Sequence, residues 1–362
     1  MLYCKLYLKK MKDNKTIYAW ACDIENYRGE GILGINFLKQ LSYSSNKKIF
    51  VESPTTSLLI DKKKIKILKT ISKTKINFGI FSNYLNPFYG VFKILTQKKN
   101  YCGICYVNFL PLWNFLLFML LPKQTILGPI TGSVYKKKIN DINSIFRKYL
   151  IPIFYFISIK LISKNKYLLF STSLLKRYCS KLQLNKCYFD YNLINYQENY
   201  TNFEKKKIDI LFYYRKYKAH DSSKQSEIIK QLSKTGYNIY VVGDQLNIKN
   251  VKNLGIIKRD KLFNYLKKTK FTINEATNFF SIFSLDAISC GVRVFNDFNI
   301  FINQSFFNKK YFIKIDLDNT TLSFLKIKYF LNNYKKLPKN KFNINKFKKR
   351  YSKYFTNQIV NS

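Results

Sequence analysis

The sequence predicts an α/β protein with two doubly wound domains, and three observations support this prediction. Short β-branched and aromatic runs alternate with amphipathic helical stretches in two successive series. A polar segment at residues 192–206 separates the two series. The chain has 362 residues, which is more than one hydrophobic core usually serves. We therefore expect an N-terminal α/β domain, a linker, a C-terminal α/β domain and a Lys-rich helical tail, over residues 1–190, 191–207, 208–325 and 326–362.

The first domain is predicted from apolar runs of strand length. These runs lie at residues 17–24, 47–51, 76–81, 103–107, 124–127 and 167–171. Residues 32–38 carry apolar side chains at helical spacing, and residues 112–121 form an apolar helix too short to cross a bilayer. Residues 145–161 predict a long packed helix kinked near Pro152, with a helix lying in the plane of a membrane as the alternative.

Two glycine-containing loops follow strands of the first domain and are candidate ligand-binding loops. Gly29, Glu30 and Gly31 lie in the first loop, which also matches the bare G-x-G-x-x-G pattern of dinucleotide binding. That match is weak, because the next strand offers only Glu52 as a ribose partner. A loop whose backbone a substrate can approach closely is the alternative. The second loop, after strand 124–127, contains the following residues of interest: Gly128, Thr131 and Gly132.

The second domain repeats the alternation of strands and helices. Predicted strands lie at residues 208–214, 237–242, 254–257, 271–274 and 292–295. The strand at 208–214 ends at Arg215 and Lys218, and the strand at 237–242 ends at Gly243. Ligands of α/β sheets bind at such carboxyl ends of strands. Taken singly, Arg215 and Lys218 are each equally well interpreted as solvated basic residues of a Lys-rich chain.

Residues 271–295 form the best-defined unit of the second domain. A buried strand at 271–274 is followed by a polar turn that contains Glu275 and Asn278. Apolar side chains then recur at helical spacing from Phe280, and Gly291 suits the end of that helix. This order places a helix N-terminus at the carboxyl edge of a parallel sheet. Unpaired N–H groups and the helix dipole there favour a phosphate.

Charge and cysteine content limit the classes of function. The formal net charge is +44, and 47% of the residues are hydrophobic, so we expect a globular protein that attracts anions. Only seven of the 64 basic residues are Arg, and a bias towards Lys, Asn, Ile, Tyr and Phe is what an A+T-rich genome imposes. Seven cysteines in apolar contexts and the lack of a secretory signal or a membrane span favour the cytoplasm.

A family resemblance appears in the segment Leu285-Asp286-Ala287-Ile288-Ser289-Cys290-Gly291-Val292-Arg293-Val294. It is similar to the LEAMACGVPV-type segment of the retaining "glycosyl transferases group 1" family. Residues 254–266 resemble the strand and helix before that segment, and residues 125–133 resemble loops of cell-surface polysaccharide transferases. The resemblance covers most of the second domain and the first only loosely. It implies the GT-B fold, in which two Rossmann-like domains face a cleft.

The resemblance also implies roles for residues of the turn and helix. The family's Glu-x7-Glu pair falls at Asn278 and Asp286, which would place Asn278 near the donor sugar and Asp286 on the nucleotide ribose. Because Asn replaces the first Glu, Glu275 is the alternative for that role. Arg215 and Lys218 match the family's paired bases on the diphosphate. Gly243 is a further candidate for donor binding. The backbone N–H groups at the helix start, from Phe280, Ser281 and Ile282, would face the diphosphate.

The function that follows is transfer of a sugar from a nucleotide-diphosphate donor to a cell-surface glycan or lipid-linked acceptor. The resemblance implies a retaining reaction with no metal and no cofactor. The positive charge, and the bases beside the aromatic residues of 145–161, favour peripheral contact of this cytoplasmic protein with an anionic membrane. The sequence departs from the family pattern at two points: Arg293 replaces the usual Pro, and the first domain contains no His. A basic nucleic-acid- or membrane-binding protein without catalysis and a sugar-nucleotide epimerase are the alternatives. The sequence lacks the motifs of nucleic-acid-binding domains.

Three other patterns predict chemistry less well. Asp316 and Asp318 form a D-x-D of the metal-binding kind, but it lies late in the chain. Cys102 and Cys105 have C-x-x-C spacing without a second pair, so buried thiols are the better interpretation. His220 has no nucleophile pattern beside it.

Overall fold

The computed structural model describes residues 15–22, 24, 29–62, 64–70, 82–108, 110–132, 145–163, 167–216, 223–273, 281–297, 307–337, 349 and 351–356. The chain forms two compact units. The first comprises residues 1–194 together with 345–362, and the second comprises residues 195–344.

The first unit is built on a six-stranded sheet. Its strands are β1 (Thr16–Ala21), β2 (Lys48–Glu52), β3 (Thr56–Asp61), β4 (Lys64–Thr70), β5 (Gly103–Val107) and β6 (Ile126–Leu127). Their order is β4-β3-β2-β1-β5-β6, in which β2, β1, β5 and β6 are parallel and β3 and β4 form an antiparallel hairpin. Two short parallel strands, β7 (Leu168–Leu169) and β8 (Cys187–Tyr188), form a small separate sheet.

Most helices of the first unit contribute apolar side chains to the core around this sheet. The helices are α1 (Glu30–Ser45), α2 (Ser82–Gln97), α3 (Phe115–Leu120), α4 (Ile151–Ser163) and α5 (Lys181–Leu184). A π-helical turn, Phe146–Leu150, runs directly into α4. This turn lies just before Pro152, whose nitrogen carries no hydrogen to continue the α-helical ladder. The long helix expected at 145–161 is therefore present, with its irregularity next to the proline.

Two features of the first unit were not predicted from the sequence. The hairpin of β3 and β4 was not predicted, because its turn has no glycine or asparagine. Lys62 takes the left-handed conformation there, with φ of 54°. The Lys-rich tail is also not one element. Residues 351–356 are helical and belong to the first unit, where the Tyr354 hydroxyl donates to the Leu127 carbonyl at 2.9 Å and the Tyr351 hydroxyl to the Phe189 carbonyl at 2.5 Å.

The second unit contains a fully parallel six-stranded sheet. Its strands are β9 (Ile208–Tyr214), β10 (Ile239–Gly243), β11 (Val251–Asn253), β12 (Thr269–Ile273), β13 (Arg293–Asp297) and β14 (Phe312–Ile315). Their order is β11-β10-β9-β12-β13-β14. Counted along the chain, this is the 3-2-1-4-5-6 order of the Rossmann fold. The predicted doubly wound sheet is confirmed, and its order reverses between β9 and β12.

Helices cover both faces of this second sheet. They are α6 (Ser223–Leu232), α7 (Arg259–Leu266), α8 (Ile282–Ser289) and α9 (Thr320–Asn332). Ile228 of α6 and Ile327 of α9 lie in one apolar cluster, while Phe263 of α7 and Ala287 of α8 lie in another. Helix α7 begins at Arg259, and Asp260 lies inside its first turn.

Lys206 is a buried cation at the end of α8. Its Nζ donates to the Thr269 carbonyl at 2.8 Å and to the Cys290 carbonyl at 3.0 Å. Carbonyls at a helix C-terminus lack intrahelical partners and favour a cation. Burial nevertheless lowers the pKa of Lys206 to about 8, because it penalises the charged form.

The free energy of unfolding should respond to this group between about pH 8 and pH 9.5. The pKa of Lys206 is lower in the folded than in the unfolded state, so the cost of burying its charge is largest below pH 8 and is relieved as the pH rises. Over this range the wild type should gain about 1.5 kcal/mol relative to Lys206→Met. Urea denaturation at several pH values measures this difference. A difference that does not change with pH would mean that Lys206 titrates normally.

Candidate functional site

The candidate site lies at the carboxyl edge of the second sheet. Parallel α/β sheets bind ligands where the strand order reverses, and here this place lies between β9 and β12. Arg215 directly follows β9, and the segment after β12 leads into α8. Gly243 ends β10, the other neighbour of β9. Three predicted elements of the donor site therefore share one edge of one sheet.

The N-terminus of α8 is defined by Ser281. Its Oγ accepts a hydrogen bond from the Ser284 amide at 3.2 Å, as N-cap serines do. The helix begins at Ile282 rather than at Phe280, because Ser281 still has extended backbone angles. Gly291 has φ of 74°, and its amide donates to the Ile288 carbonyl at 3.0 Å. The predicted helix end is thus confirmed, and Ser281 and Ile282 lie at the N-terminus as expected.

An aromatic stack connects Arg215 to this helix. The Arg215 guanidinium lies 5.3 Å from the centroid of the Tyr213 ring. Tyr213 in turn stacks on Phe283 in the first turn of α8, with ring centroids 5.1 Å apart. Among the described residues, none gives Arg215 a hydrogen bond or an ion pair. A cation is therefore held beside the helix N-terminus by ring contacts, and its N–H groups are available to an anionic ligand.

Gly243 is required by a close approach of two strands. Its φ is 111°, and a Cβ atom at this position would lie 2.2 Å from the Tyr214 carbonyl oxygen. The neighbouring Asp244 fixes the same contact, since its amide donates to that oxygen at 2.9 Å. Its carboxylate also accepts from the Lys216 amide at 2.7 Å. Gly243 thus shapes the edge of the sheet directly before Arg215, and a direct contact with the donor stays a prediction.

Asp286 has an internal partner that the sequence did not reveal. Arg259, the first residue of α7, donates from Nε to Oδ2 at 2.8 Å and from Nη2 to Oδ1 at 2.6 Å. The same Nη2 also donates to the Asn195 carbonyl at 3.1 Å. The Asp286 side chain is 1% exposed and that of Arg259 is 26% exposed. Arg259 therefore supplies the positive charge that pairs with the buried carboxylate of Asp286.

Burial and pairing act on Asp286 in opposite directions. Burial raises the pKa of its carboxyl above the ordinary range, and the hydrogen bonds and charge of Arg259 offset part of this effect. The hydrogen bonds with Asp286 raise the pKa of Arg259. Because both carboxylate oxygens already accept from Arg259, a ribose would have to share them. The assignment of Asp286 to the ribose stays a prediction.

Arg259 lay within the segment that resembles the glycosyltransferase family, yet its role was not predicted. Two signals were available: arginine is rare in this chain, and Asp286 is a carboxylate in an apolar helix. Four further predicted residues lie outside the described part of the chain, and their roles stay predictions: Lys218, Glu275, Asn278 and Phe280. His220 and the strand expected at 76–81 lie outside it too.

The first glycine loop leads into α1. Gly29 precedes this helix with φ of 46°, Glu30 is its first residue, and Gly31 is buried within it. A Cβ atom on Gly34 would lie 2.9 Å from a Val107 methyl group. The last glycine of the G-x-G-x-x-G match therefore permits close packing of helix on strand. An acceptor role for Gly29, Glu30 and Gly31 stays a prediction.

Residues of the second loop contact their own unit closely. A Cβ atom on Gly128 would lie 3.0 Å from Val107 Cα, and one on Gly132 would lie 3.0 Å from a Leu175 methyl group. The Thr131 amide donates to the Leu110 carbonyl at 2.9 Å. Close packing therefore explains why glycine occupies positions 128 and 132. The assignment of Gly128, Thr131 and Gly132 to acceptor binding stays a prediction.

The competing motifs are occupied by internal contacts. Asp318 forms an ion pair with Lys224, and an Asp316 carboxylate oxygen accepts from the Asp318 amide at 3.0 Å. Cys102 and Cys105 are free thiols; Cys105 is buried as expected, whereas Cys102 is half-buried. In the part of the chain that the structure describes, no three His, Cys, Asp or Glu side chains come together as a metal site would require.

Structural comparison identifies the fold. The sequence matches no family model and no curated protein sequence. Sucrose-phosphate synthase from Thermosynechococcus elongatus is similar in structure, with a TM-score of 0.59 and 12% identity over 96% of this chain and 94% of that one. The lipopolysaccharide outer core galactosyltransferase WaaB in its apo form has a TM-score of 0.53 and 13% identity, over 95% of this chain and 99% of that one. A glycosyltransferase from Rickettsia africae has a TM-score of 0.50 and 11% identity, over 96% of this chain and 94% of that one.

The structurally similar proteins are glycosyltransferases of the GT-B fold. The chain described here has that fold, with two Rossmann-like α/β domains. The predicted fold class is confirmed.

Proposed function

We propose that this protein is a glycosyltransferase that takes its sugar from a nucleotide-diphosphate donor. The observation that carries the proposal is the reversal of strand order between β9 and β12, bordered by Arg215 and by the N-terminus of α8. The GT-B fold, shared with known glycosyltransferases, supports the proposal. A diphosphate matches this edge of the sheet, because both a guanidinium and a helix N-terminus favour phosphate oxygens.

The chemistry requires stabilisation of a leaving diphosphate. When the bond between the sugar C1 and the phosphate oxygen breaks, negative charge builds on the diphosphate. Arg215 and the dipole of α8 lie in fixed positions, so they stabilise this charge without reorganisation in the transition state. We infer that these groups serve without a metal ion. We also propose that the reaction retains the configuration at the sugar C1, with Asn278 near the donor sugar and Lys218 beside Arg215.

We assign the pair of Arg259 and Asp286 to the nucleoside end of the donor. Asp286 is the fifth residue of α8, so its salt bridge holds Arg259 about one turn from the helix N-terminus. A ribose hydroxyl can accept from a guanidinium N–H and donate to a carboxylate lone pair. In this arrangement Asp286 positions Arg259, and both groups contact the ribose.

For the acceptor, we propose a cell-surface glycan or a lipid-linked sugar. The similar structures include a transferase that by its name acts on the outer core of lipopolysaccharide. The resemblance of residues 125–133 to cell-surface polysaccharide transferases points the same way.

A thermal-shift screen of UDP-, GDP-, ADP- and CMP-sugars tests the proposed function. At least one diphosphate donor should raise the melting temperature of the wild type by several degrees, because a ligand that binds only the folded state stabilises it. The shift should be much smaller for Arg215→Gln and unchanged for Lys230→Gln, an exposed lysine on α6. EDTA should leave it unaltered. A wild type that responds to no sugar nucleotide would overturn the proposal.

Two further assays, of sugar-nucleotide conversion and of nucleic-acid binding, separate the two alternatives. An epimerase would convert a bound sugar nucleotide in the absence of any acceptor. A protein that only binds polyanions would ignore sugar nucleotides and would bind nucleic acid with a steep dependence on salt.

A further inference from the structure

The helix formed by residues 145–163 exposes an apolar face. A surface helix normally buries its apolar side and exposes polar residues. Here the buried side contains Tyr155, Ser158, Ile159 and Ile162. The exposed side is also apolar, with side chains between 37% and 54% exposed: Ile145, Phe146, Tyr149, Leu150, Ile153, Phe156, Ile157 and Leu161.

A second helix extends this exposed surface. Helix α3 packs against α4, and the rings of Phe115 and Phe154 lie 5.3 Å apart. Leu116, Met119 and Leu120 of α3 are between 44% and 57% exposed. We call these eleven exposed side chains of the two helices the apolar face. Eleven of the 21 exposed large hydrophobic side chains in the described part of the chain belong to it, so it is a concentrated surface rather than the usual scatter.

Within the described segments that form the apolar face, the charged residues are basic. Arg147, Lys148 and Lys160 lie on the long helix, and Lys123 follows α3. Residues 110–132 and 145–163 contain no Asp or Glu. Lys148 Nζ lies 5.3 Å from the Tyr149 ring centroid. Long basic side chains beside exposed aromatic and aliphatic ones complement a surface with anionic headgroups above hydrocarbon.

We propose that the apolar face binds the surface of an anionic lipid bilayer, with the two helices lying in the plane of the membrane. The apolar side chains enter the boundary between headgroups and acyl chains, and the basic side chains contact the headgroups. Among the described residues, no helix is long and apolar enough to cross a membrane. The proposal goes beyond the proposed sugar transfer and stands independently of it.

Co-sedimentation of the full chain with sonicated vesicles tests this proposal. The wild type should bind vesicles of phosphatidylcholine with 30% phosphatidylglycerol more strongly than vesicles of phosphatidylcholine alone. Ile153→Ser/Phe156→Ser should lower the partition coefficient more than roughly tenfold, because less hydrocarbon enters the bilayer. Lys148→Gln/Lys160→Gln should lower it by roughly tenfold. Leu325→Ser/Tyr329→Ser, which changes equally exposed apolar side chains of α9, should bind as the wild type does.

Three results would overturn the proposal. The first is equal binding of the wild type and Ile153→Ser/Phe156→Ser, with loss of all binding at 0.5 M salt, which would assign the interaction to the general Lys-rich surface. The second is equal binding to neutral and anionic vesicles. The third is a dimer in vesicle-free solution that Ile153→Ser/Phe156→Ser dissociates, which would show that a second copy covers the face. Circular dichroism confirms that each variant is folded.

Discussion

Replacing Arg215 with glutamine should lower the turnover number of sugar transfer by about 10²–10³-fold, as the loss of a preorganised group that stabilises developing charge does in other enzymes. The effect on KM should be smaller, because the proposed contact of Arg215 with the diphosphate strengthens as the bond between the sugar and the diphosphate breaks. The measurement is release of the nucleoside diphosphate from the donor that gives the largest thermal shift. Arg215 is exposed and rests on Tyr213, so this variant should keep the stability of the wild type.

Two further variants make the Arg215 result specific. Arg215→Lys should recover part of the turnover, because an ammonium keeps the charge but loses bidentate contact with phosphate. Lys230→Gln removes a positive charge elsewhere on the second unit and should retain wild-type turnover. Equal loss in Arg215→Gln and Lys230→Gln would indicate a general effect of charge. Unchanged turnover in Arg215→Gln would remove Arg215 from the active site.

The parts of the site that follow from local sequence were predicted well. The helix after β12 was visible from its apolar spacing and from Gly291, whose positive φ ends it. Its start was misplaced by two residues, because the extended conformation of Ser281 depends on its side-chain bond to Ser284. The position of Arg215 followed from the end of an apolar run. These features depend on neighbours within a few residues, and local pattern is sufficient to find them.

The parts that depend on distant residues were not predictable. Arg259 and Asp286 are 27 positions apart, and only the packing of α7 against α8 brings them together. Tyr354 and Leu127 are separated by 227 positions, so the return of the last residues to the first unit leaves no local signal. The requirement for Gly243 likewise arises from the carbonyl of a neighbouring strand. In each case the physical cause is a contact that exists only after the sheets have formed.

Replacing Arg259 with methionine should destabilise the protein by roughly 3–5 kcal/mol, because it leaves the carboxylate of Asp286 buried without its cation. Arg259 offsets the effect of burial on the pKa of Asp286, so the variant should raise that pKa further. The penalty should therefore be full at high pH and should decrease as the pH falls through the raised pKa and the carboxyl is protonated. Urea denaturation at about pH 8 and about pH 5 measures both effects.

The double variant Arg259→Met/Asp286→Leu separates stability from function. Removing both charges avoids an unpaired buried ion, so this variant should unfold close to the wild-type midpoint, as replacement of buried ion pairs by apolar groups often does. If the pair contacts the ribose, the stable double variant should still lose most of its thermal shift with the donor. A stable double variant that binds the donor as the wild type does would make the pair purely structural. In that case the donor site would consist of Arg215 and the α8 N-terminus without Asp286, which would leave recognition of the nucleoside to other groups of the second unit.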